Sequence, residues 1–245
     1  MVALITGGVH GIGLATARWF ASQGHKVCLF DLKGAEEAAR QFGVGTVGVD
    51  GNITNAADVD RAIERTIEAF GGLDCLVTCA GIVKVAPALD FELEDFASII
   101  SVNVTGSFLP AQRAARVMAK SGGGSIVFVG SVYGAAGAPQ RTAYCASKGA
   151  VHTMTQALAV EWGPLGIRVN AVAPTGTRTP MVQDLIDRGI YDLSGVKART
   201  PLGRLAEAEE VAATIGFLAS PSASMINGVI FPVDGGWLAN GYTIG

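Results

Sequence analysis

The sequence predicts an α/β fold, a single doubly wound domain with a seven-stranded parallel sheet and helices on both faces. Three observations carry that reading. Seven short apolar runs alternate with longer stretches of helical period along the whole chain. The apolar residues are dispersed in short runs, as buried parallel strands and close-packed helices require. No Pro/Ser-rich linker and no internal repeat divides the 245 residues, a length that suits one large domain or two small ones.

The apolar run at 2–6 reads as the first strand, and the helical period of 11–23 follows a glycine cluster. The run at 26–31, "KVCLFD", is the second strand, and 35–42 is a short helix leading to a third strand at 46–49. Helical spacing over 56–70 precedes a strand at 73–77, and one long helix over 93–120 precedes a strand at 125–129. A helix at 142–162 leads to a strand at 167–172. An irregular stretch then runs over 174–204, before a helix at 207–219 and a last strand at 229–233. In such a sheet, ligands bind outside the carboxyl ends of the strands, where the strand order reverses. The chemistry-bearing motifs fall just after strands.

Composition narrows the function. Hydrophobic residues make up 49% and charged residues 16%, the balance of a globular chain with a sizeable core. A net charge of −3 and a pI near 5.6 argue against nucleic acid as a partner, because a phosphate-binding surface carries a basic excess. Mean hydropathy is high at +0.40, yet no stretch approaches the roughly 18 apolar residues of a membrane helix. With the first strand starting at Val2, the chain as given leaves no room for a leader, and a cytoplasmic protein is expected. Cys28, Cys75, Cys79 and Cys145 form no CxxC pair, and His10, His25 and His152 form no HExxH. Reduced thiols and no metal site are expected.

The segment "LITGGVHGIG" places Gly7, Gly11 and Gly13 where the first strand turns into the first helix. The spacing G-x-x-x-G-x-G is not the G-x-G-x-x-G fingerprint, since Thr16 stands where the last small residue would be. Free backbone N–H groups and the positive end of a helix suit a pyrophosphate there; the other reading is a tight turn that wants glycine anyway. Asp31 ends the second strand eighteen residues after Gly13, where a carboxylate accepts hydrogen bonds from an adenosine ribose. It repels a 2′-phosphate, so NAD is favoured over NADP, with a solvated strand-end aspartate as the other reading. After the fifth strand, "GSVYGAAGAPQRTAYCASKGA" carries Ser131, Tyr144 and Lys148. Tyr144 and Lys148 are four apart on one helix face, so an ammonium can lower a phenol pKa that is ordinarily about 10. Ser131 can hold the oxygen being oxidised or reduced, which makes an acid/base unit for hydride transfer.

"TGGVHGIG", "CAG" at Cys79–Gly81, Asn103, Ser131, "YCASK", "PTGTRTP" and the closing "PVDGGW" together resemble the ordered motifs of the short-chain dehydrogenase/reductase family, over essentially the whole chain. The resemblance implies a Rossmann fold in which Tyr144 is the acid/base. Lys148 lowers its pKa and binds the nicotinamide ribose, Ser131 orients substrate, and Asn103 on the long helix continues a proton relay through a water. It implies cofactor contacts from Gly7, Val9, His10, Gly11, Ile12 and Gly13 at the pyrophosphate, with Asp31 and Leu32 at the adenosine ribose. Asn52 and Ile53 then meet the adenine, while Cys79, Ala80 and Gly81 approach the adenosine ribose. Pro174, Thr175, Gly176, Thr177 and Thr179 line the nicotinamide, and 175–204 forms a substrate lid. It further implies a homotetramer built through the long helices and the C-terminal strand.

Three departures from the family pattern stand out. Thr78 and Cys79 replace the usual pair of asparagines, which removes amides that stabilise the central sheet. Asn52 replaces the usual aspartate, and is expected to accept from the adenine amino group through its carbonyl oxygen. Thr175 replaces a glycine.

The leading reading is an NAD-dependent dehydrogenase or ketoreductase acting on a secondary alcohol/ketone pair, with no nucleic acid and no membrane as partner. The runner-up is a 3-oxoacyl-thioester reductase, and a third reading is a non-catalytic dinucleotide-binding protein. Val83, Lys84, Val132, Gly134, Gln140, Arg141, Met181, Val182 and Tyr191 are the candidate substrate contacts. An inward Lys84 or Arg141 selects a carboxylate-bearing substrate; if both face solvent, a neutral alcohol fits better. Cys145, beside Tyr144, is either a thiol-reactive position or an inert buried one.

Overall fold

Alternate residues of the first strand, Ala3 and Ile5 against Leu4, feed two separate cores, and that alternation builds the molecule. A computed structural model describes residues 1–241. The strands are β1 (Val2–Thr6), β2 (Lys26–Asp31), β3 (Thr46–Asp50), β4 (Cys75–Thr78), β5 (Gly124–Val129), β6 (Ile167–Pro174), β7 (Thr177–Arg178), β8 (Ala206–Glu207) and β9 (Ile230–Val233). Seven of them form one parallel sheet in the order β3-β2-β1-β4-β5-β6-β9; β7 and β8 form a separate two-residue parallel ladder.

On one face of the sheet pack α1 (Gly11–Ser22), α2 (Ala35–Phe42) and α9 (Ala208–Ala219), through Phe20, Ala39, Val211 and Ile215 onto Ile5, Leu29 and Val127. On the other pack α3 (Ala56–Phe70), α5 (Gly106–Met118) and α6 (Thr142–Trp162), through Ile63, Met118 and Val151 onto Leu4, Phe30 and Phe128. Phe20, Phe30 and Phe128 are fully buried, each contributing about 2–3 kcal/mol of transfer free energy. The order reverses between β1 and β4, so the crevice above their carboxyl ends is the place for a ligand.

Three stretches depart from the expected elements. Leu73 is buried ahead of the fourth strand but outside its ladder, which starts at Cys75 opposite Ala3. The expected long helix over 93–120 is α4 (Leu93–Ile100), a π-helical turn Ser101–Thr105, and α5. Pro110 inside α5 has no N–H for the carbonyl of Gly106, and the widened turn swings Asn103 into the interior. The irregular stretch holds β7, α7 (Pro180–Asp187) and α8 (Leu193–Arg199). Thr179 caps α7 by accepting from the Val182 N–H at 3.3 Å, and Asp192 caps α8 by accepting from the Gly195 N–H at 2.8 Å. Among the described residues no helix is long and apolar enough to cross a membrane.

Candidate active site

The turn after β1 brings the chain into αL at Gly7 (φ +63°), where a Cβ would lie 2.7 Å from the Ala80 nitrogen. A Cβ on Gly13 would collide with the carbonyl oxygen of Gly7. The first turn of α1 therefore packs directly on the strand-to-helix turn. His10, at the N-cap of α1, gives no side-chain hydrogen bond, and the first turn holds no acidic residue. Its leading N–H groups meet no side-chain acceptor from the cap, the arrangement that suits an anionic group.

Asp31 is tied to this turn. Its Oδ2 accepts from the Val9 N–H at 3.2 Å and its Oδ1 from the Leu32 N–H at 2.8 Å, leaving lone pairs of both oxygens for a ligand. Val9 thus contributes its backbone to Asp31 and does not line the cavity. Asn52 departs from its expected role: its carbonyl oxygen already accepts from the N–H of Thr54 at 2.9 Å and from the Thr54 hydroxyl at 2.8 Å. Both lone pairs are filled, so the amide nitrogen is the group left for an adenine.

One continuous cavity of about 490 Å³ joins this end to the carboxyl ends of β5 and β6. It is lined by Gly7, His10, Gly11, Ile12, Gly13, Asp31, Leu32, Asn52, Ile53, Cys79, Ala80 and Gly81 at one end. Ser131, Tyr144, Lys148, Pro174, Thr175, Gly176, Thr177 and Thr179 line the other. Lys148, only 6% exposed, donates to the Val129 carbonyl at 2.7 Å, and its ammonium lies 5.6 Å from the centroid of the Tyr144 ring. Asn103 is fully buried behind the cavity. Its Oδ1 accepts from the Ile82 N–H at 2.8 Å, and its Nδ2 donates to the Ile82 carbonyl and the Ser147 hydroxyl, both at 3.0 Å.

Electrostatics differ from the expectation of a lowered phenol. Burial pushes the Tyr144 phenol up to about 12, against a smaller downward pull from the Ser131 hydroxyl beside it. Burial also brings the Lys148 ammonium down to about 8, still mostly protonated at neutral pH. The protein alone leaves the tyrosine neutral and the lysine only weakly held in its charged form.

Of the candidate substrate contacts, Val83, Arg141, Met181, Val182 and Tyr191 line the cavity. Lys84 is exposed and paired with Asp95. Val132 is buried, Gly134 packs on His152, and Gln140 and Cys145 lie outside the lining. Burial raises the thiols of Cys28 to about 11 and of Cys75 and Cys79 to about 12, which keeps them in the protonated form. Among the described residues no cluster of three metal-ligating side chains forms.

The profile of a family described as enoyl-(acyl carrier protein) reductase matches residues 7–238. A D-threitol dehydrogenase of Mycolicibacterium smegmatis is 38% identical over 96% of this chain and 92% of its own. The chain belongs to the short-chain dehydrogenase/reductase family.

Two solved structures superpose along nearly its whole length. A 3-ketoacyl-(acyl-carrier-protein) reductase from Brucella melitensis complexed with NADH has a TM-score of 0.90 at 35% identity, covering 96% of this chain and 97% of that one. A gluconate 5-dehydrogenase from Burkholderia cenocepacia in complex with NADP and tartrate has a TM-score of 0.91 at 34% identity, covering 97% and 94%. This short-chain dehydrogenase/reductase is accordingly an alcohol dehydrogenase or ketoreductase by type, and relatives of its fold bind NADH in one case and NADP in the other.

The structure adds residues the sequence reading passed over. Tyr133 and Leu185 line the cavity of this family member, and Trp237 stacks edge-on against Tyr133 at 5.8 Å. Tyr133 was findable, because it stands two residues from Ser131 on the same loop. His152, one helical turn beyond Lys148, is buried against Gly130 and Gly134 with its Nε2 unpartnered. Thr78, where the family pattern has an amide, keeps a buried hydroxyl without a partner, the structural counterpart of that departure.

Proposed function

We propose that the protein is an NAD-dependent oxidoreductase that interconverts a secondary alcohol and its ketone through Ser131, Tyr144 and Lys148, with Asn103 as their buried support. The observation that carries this reading is the single cavity that runs from the glycine turn and Asp31 to Tyr144. The uncapped start of α1, the glycines that leave no room for a Cβ and the carboxylate held on the Val9 N–H fit a dinucleotide with free ribose hydroxyls. Bound NAD supplies a hydride acceptor, and NADH a hydride donor. In oxidation the Tyr144 oxygen would take the proton of the substrate hydroxyl, and in reduction it would return that proton to the substrate oxygen. Ser131 hydrogen-bonds the substrate oxygen. Lys148 places a buried ammonium 5.6 Å from the centroid of the Tyr144 ring, where a positive charge favours the phenolate form. Asn103 ties the π turn to Ile82 and, through Ser147, to the carbonyl of Tyr144 at 2.7 Å.

Separate fluorescence titrations with NAD and NADP test the cofactor. NAD is expected to bind more tightly, and Asp31→Ala to weaken it roughly 10- to 100-fold, the worth of a charge-assisted hydrogen bond. Tighter binding of NADP by the unaltered protein would move the thioester-reductase reading ahead. That alternative draws support from the Brucella melitensis relative.

The proposal extends to one domain with residues 175–204 as a lid over the substrate end, and to a cytoplasmic homotetramer. Phe108 on α5, Val160 on α6 and Phe231 on the edge strand β9 leave apolar surface exposed, which contacts between copies would cover. Sedimentation velocity is expected to show four copies, and Val160→Asp to reduce that number; a monomer at micromolar concentration would refute the assembly.

A further inference from the structure

We infer that the substrate end of the cavity carries an anion subsite built on Arg141, and that the substrate is a carboxylate-bearing secondary alcohol or ketone. The inference rests on the reading of Tyr144 as the proton-transfer group. Besides Lys148, two cations stand near this end, and one is already engaged: Lys84 pairs with Asp95 outside the lining. Arg141 lines the cavity beside Tyr133, Tyr144 and Tyr191, and its charge favours the ionised form of all three phenols.

Among the described residues Arg141 has no carboxylate partner within ion-pair distance. Its side chain makes one hydrogen bond, donated to the Pro139 carbonyl at 3.3 Å. A guanidinium offers five N–H donors, so most of the fork is free. Asp31, the acidic residue of the lining, belongs to the opposite end. The guanidinium is thus open to a ligand that supplies the missing acceptors.

The backbone holds Arg141 there at a cost. Gln140 is the one non-glycine residue at positive φ among those described, at +59°. Its carbonyl accepts the Ala86 N–H at 3.0 Å, which pins the loop. The next residue is Arg141, the N-cap of α6, three positions before Tyr144 and therefore on the same side of the helix. Strain is thus concentrated at the residue that sets the direction of Arg141. Val83, Met181, Val182 and Leu185 add apolar surface to the same cavity lining, and with Lys148 committed to the Val129 carbonyl and the Tyr144 ring, Arg141 is the cation left to orient a charged group of a small ligand. The planar fork matches a carboxylate.

Trp237 against Tyr133 provides a reporter. Tryptophan fluorescence of the full chain, in saturating NAD and at constant ionic strength, is titrated with acetate, butanoate and benzoate, each against its amide. In at least one pair the carboxylate is expected to bind tenfold or more tightly than the amide. Arg141→Gln should bring that ratio close to one, and Arg141→Lys should keep part of it. Ratios near one for all three pairs in the unaltered protein, or a ratio that survives Arg141→Gln, would overturn the subsite. If the glutamine variant does not fold, the ratios of the unaltered protein decide. NAD binding and turnover of neutral secondary alcohols in the same preparation separate the two levels: if these persist without carboxylate preference, only the subsite falls. If both are absent, the reading beneath it falls.

Discussion

Tyr144→Phe is expected to lower kcat for alcohol oxidation by roughly a thousandfold, within the range that a positioned acid/base contributes. The ring is kept, so the T-shaped contact with Tyr133, 6.5 Å between centroids, and the packing under Lys148 survive. Only the hydroxyl that exchanges the proton goes. The loss falls on kcat and kcat/KM alike, because the interaction is made in the transition state, and dinucleotide affinity changes little. The pH profile gives a second readout. Burial raises the phenol, so oxidation, which needs the phenolate, rises with pH, while reduction, which needs the neutral phenol, holds through neutral pH and falls only as the pH approaches the raised value. Both dependences should vanish in the phenylalanine variant. Wild-type kcat in that variant would remove Tyr144 from the chemistry, and an unchanged pH profile would assign the titration to another group.

Gly13→Ala is expected to abolish dinucleotide binding and to destabilise the fold by about 2–3 kcal/mol, the scale of an overpacked interior. The added methyl collides with a backbone carbonyl, that of Gly7, and not with the end of a flexible side chain. Relief requires the first turn of α1 to move off the β1 turn, which carries the uncapped N–H groups away from the cavity. The same displacement pulls Val9 from Asp31 and loosens the carboxylate proposed for the ribose. Thermal unfolding and NAD titration check the two effects together. Gly72→Ala is the control, since a Cβ there meets nothing within 4 Å. A Gly13→Ala protein that melts and binds NAD like the parent would show that the turn is only a turn.

The positions of the seven sheet strands along the chain, the helices between them and the placement of each motif after a strand were legible in the sequence, because they rest on local signals; the order of those strands within the sheet was not. The 2.0 and 3.6 residue periods reveal strand and helix. Glycines after a strand mark the turn, and the four-residue spacing of Tyr144 and Lys148 puts them on one face of α6 whatever surrounds it. What only the tertiary structure decided depends on partners far along the chain. Asp31 is held by Val9, 22 residues away. The π turn at Asn103 makes sense only against Ile82 and Ser147, on two other segments. Tyr144 and Lys148 are moved from their ordinary pKa values by burial, a quantity that no spacing encodes. Lys84 and Arg141 look alike in the sequence as candidate cations. Asp95, on α4, neutralises one and leaves the other facing the cavity, because charge pairing is settled by distance in space and not by distance in sequence.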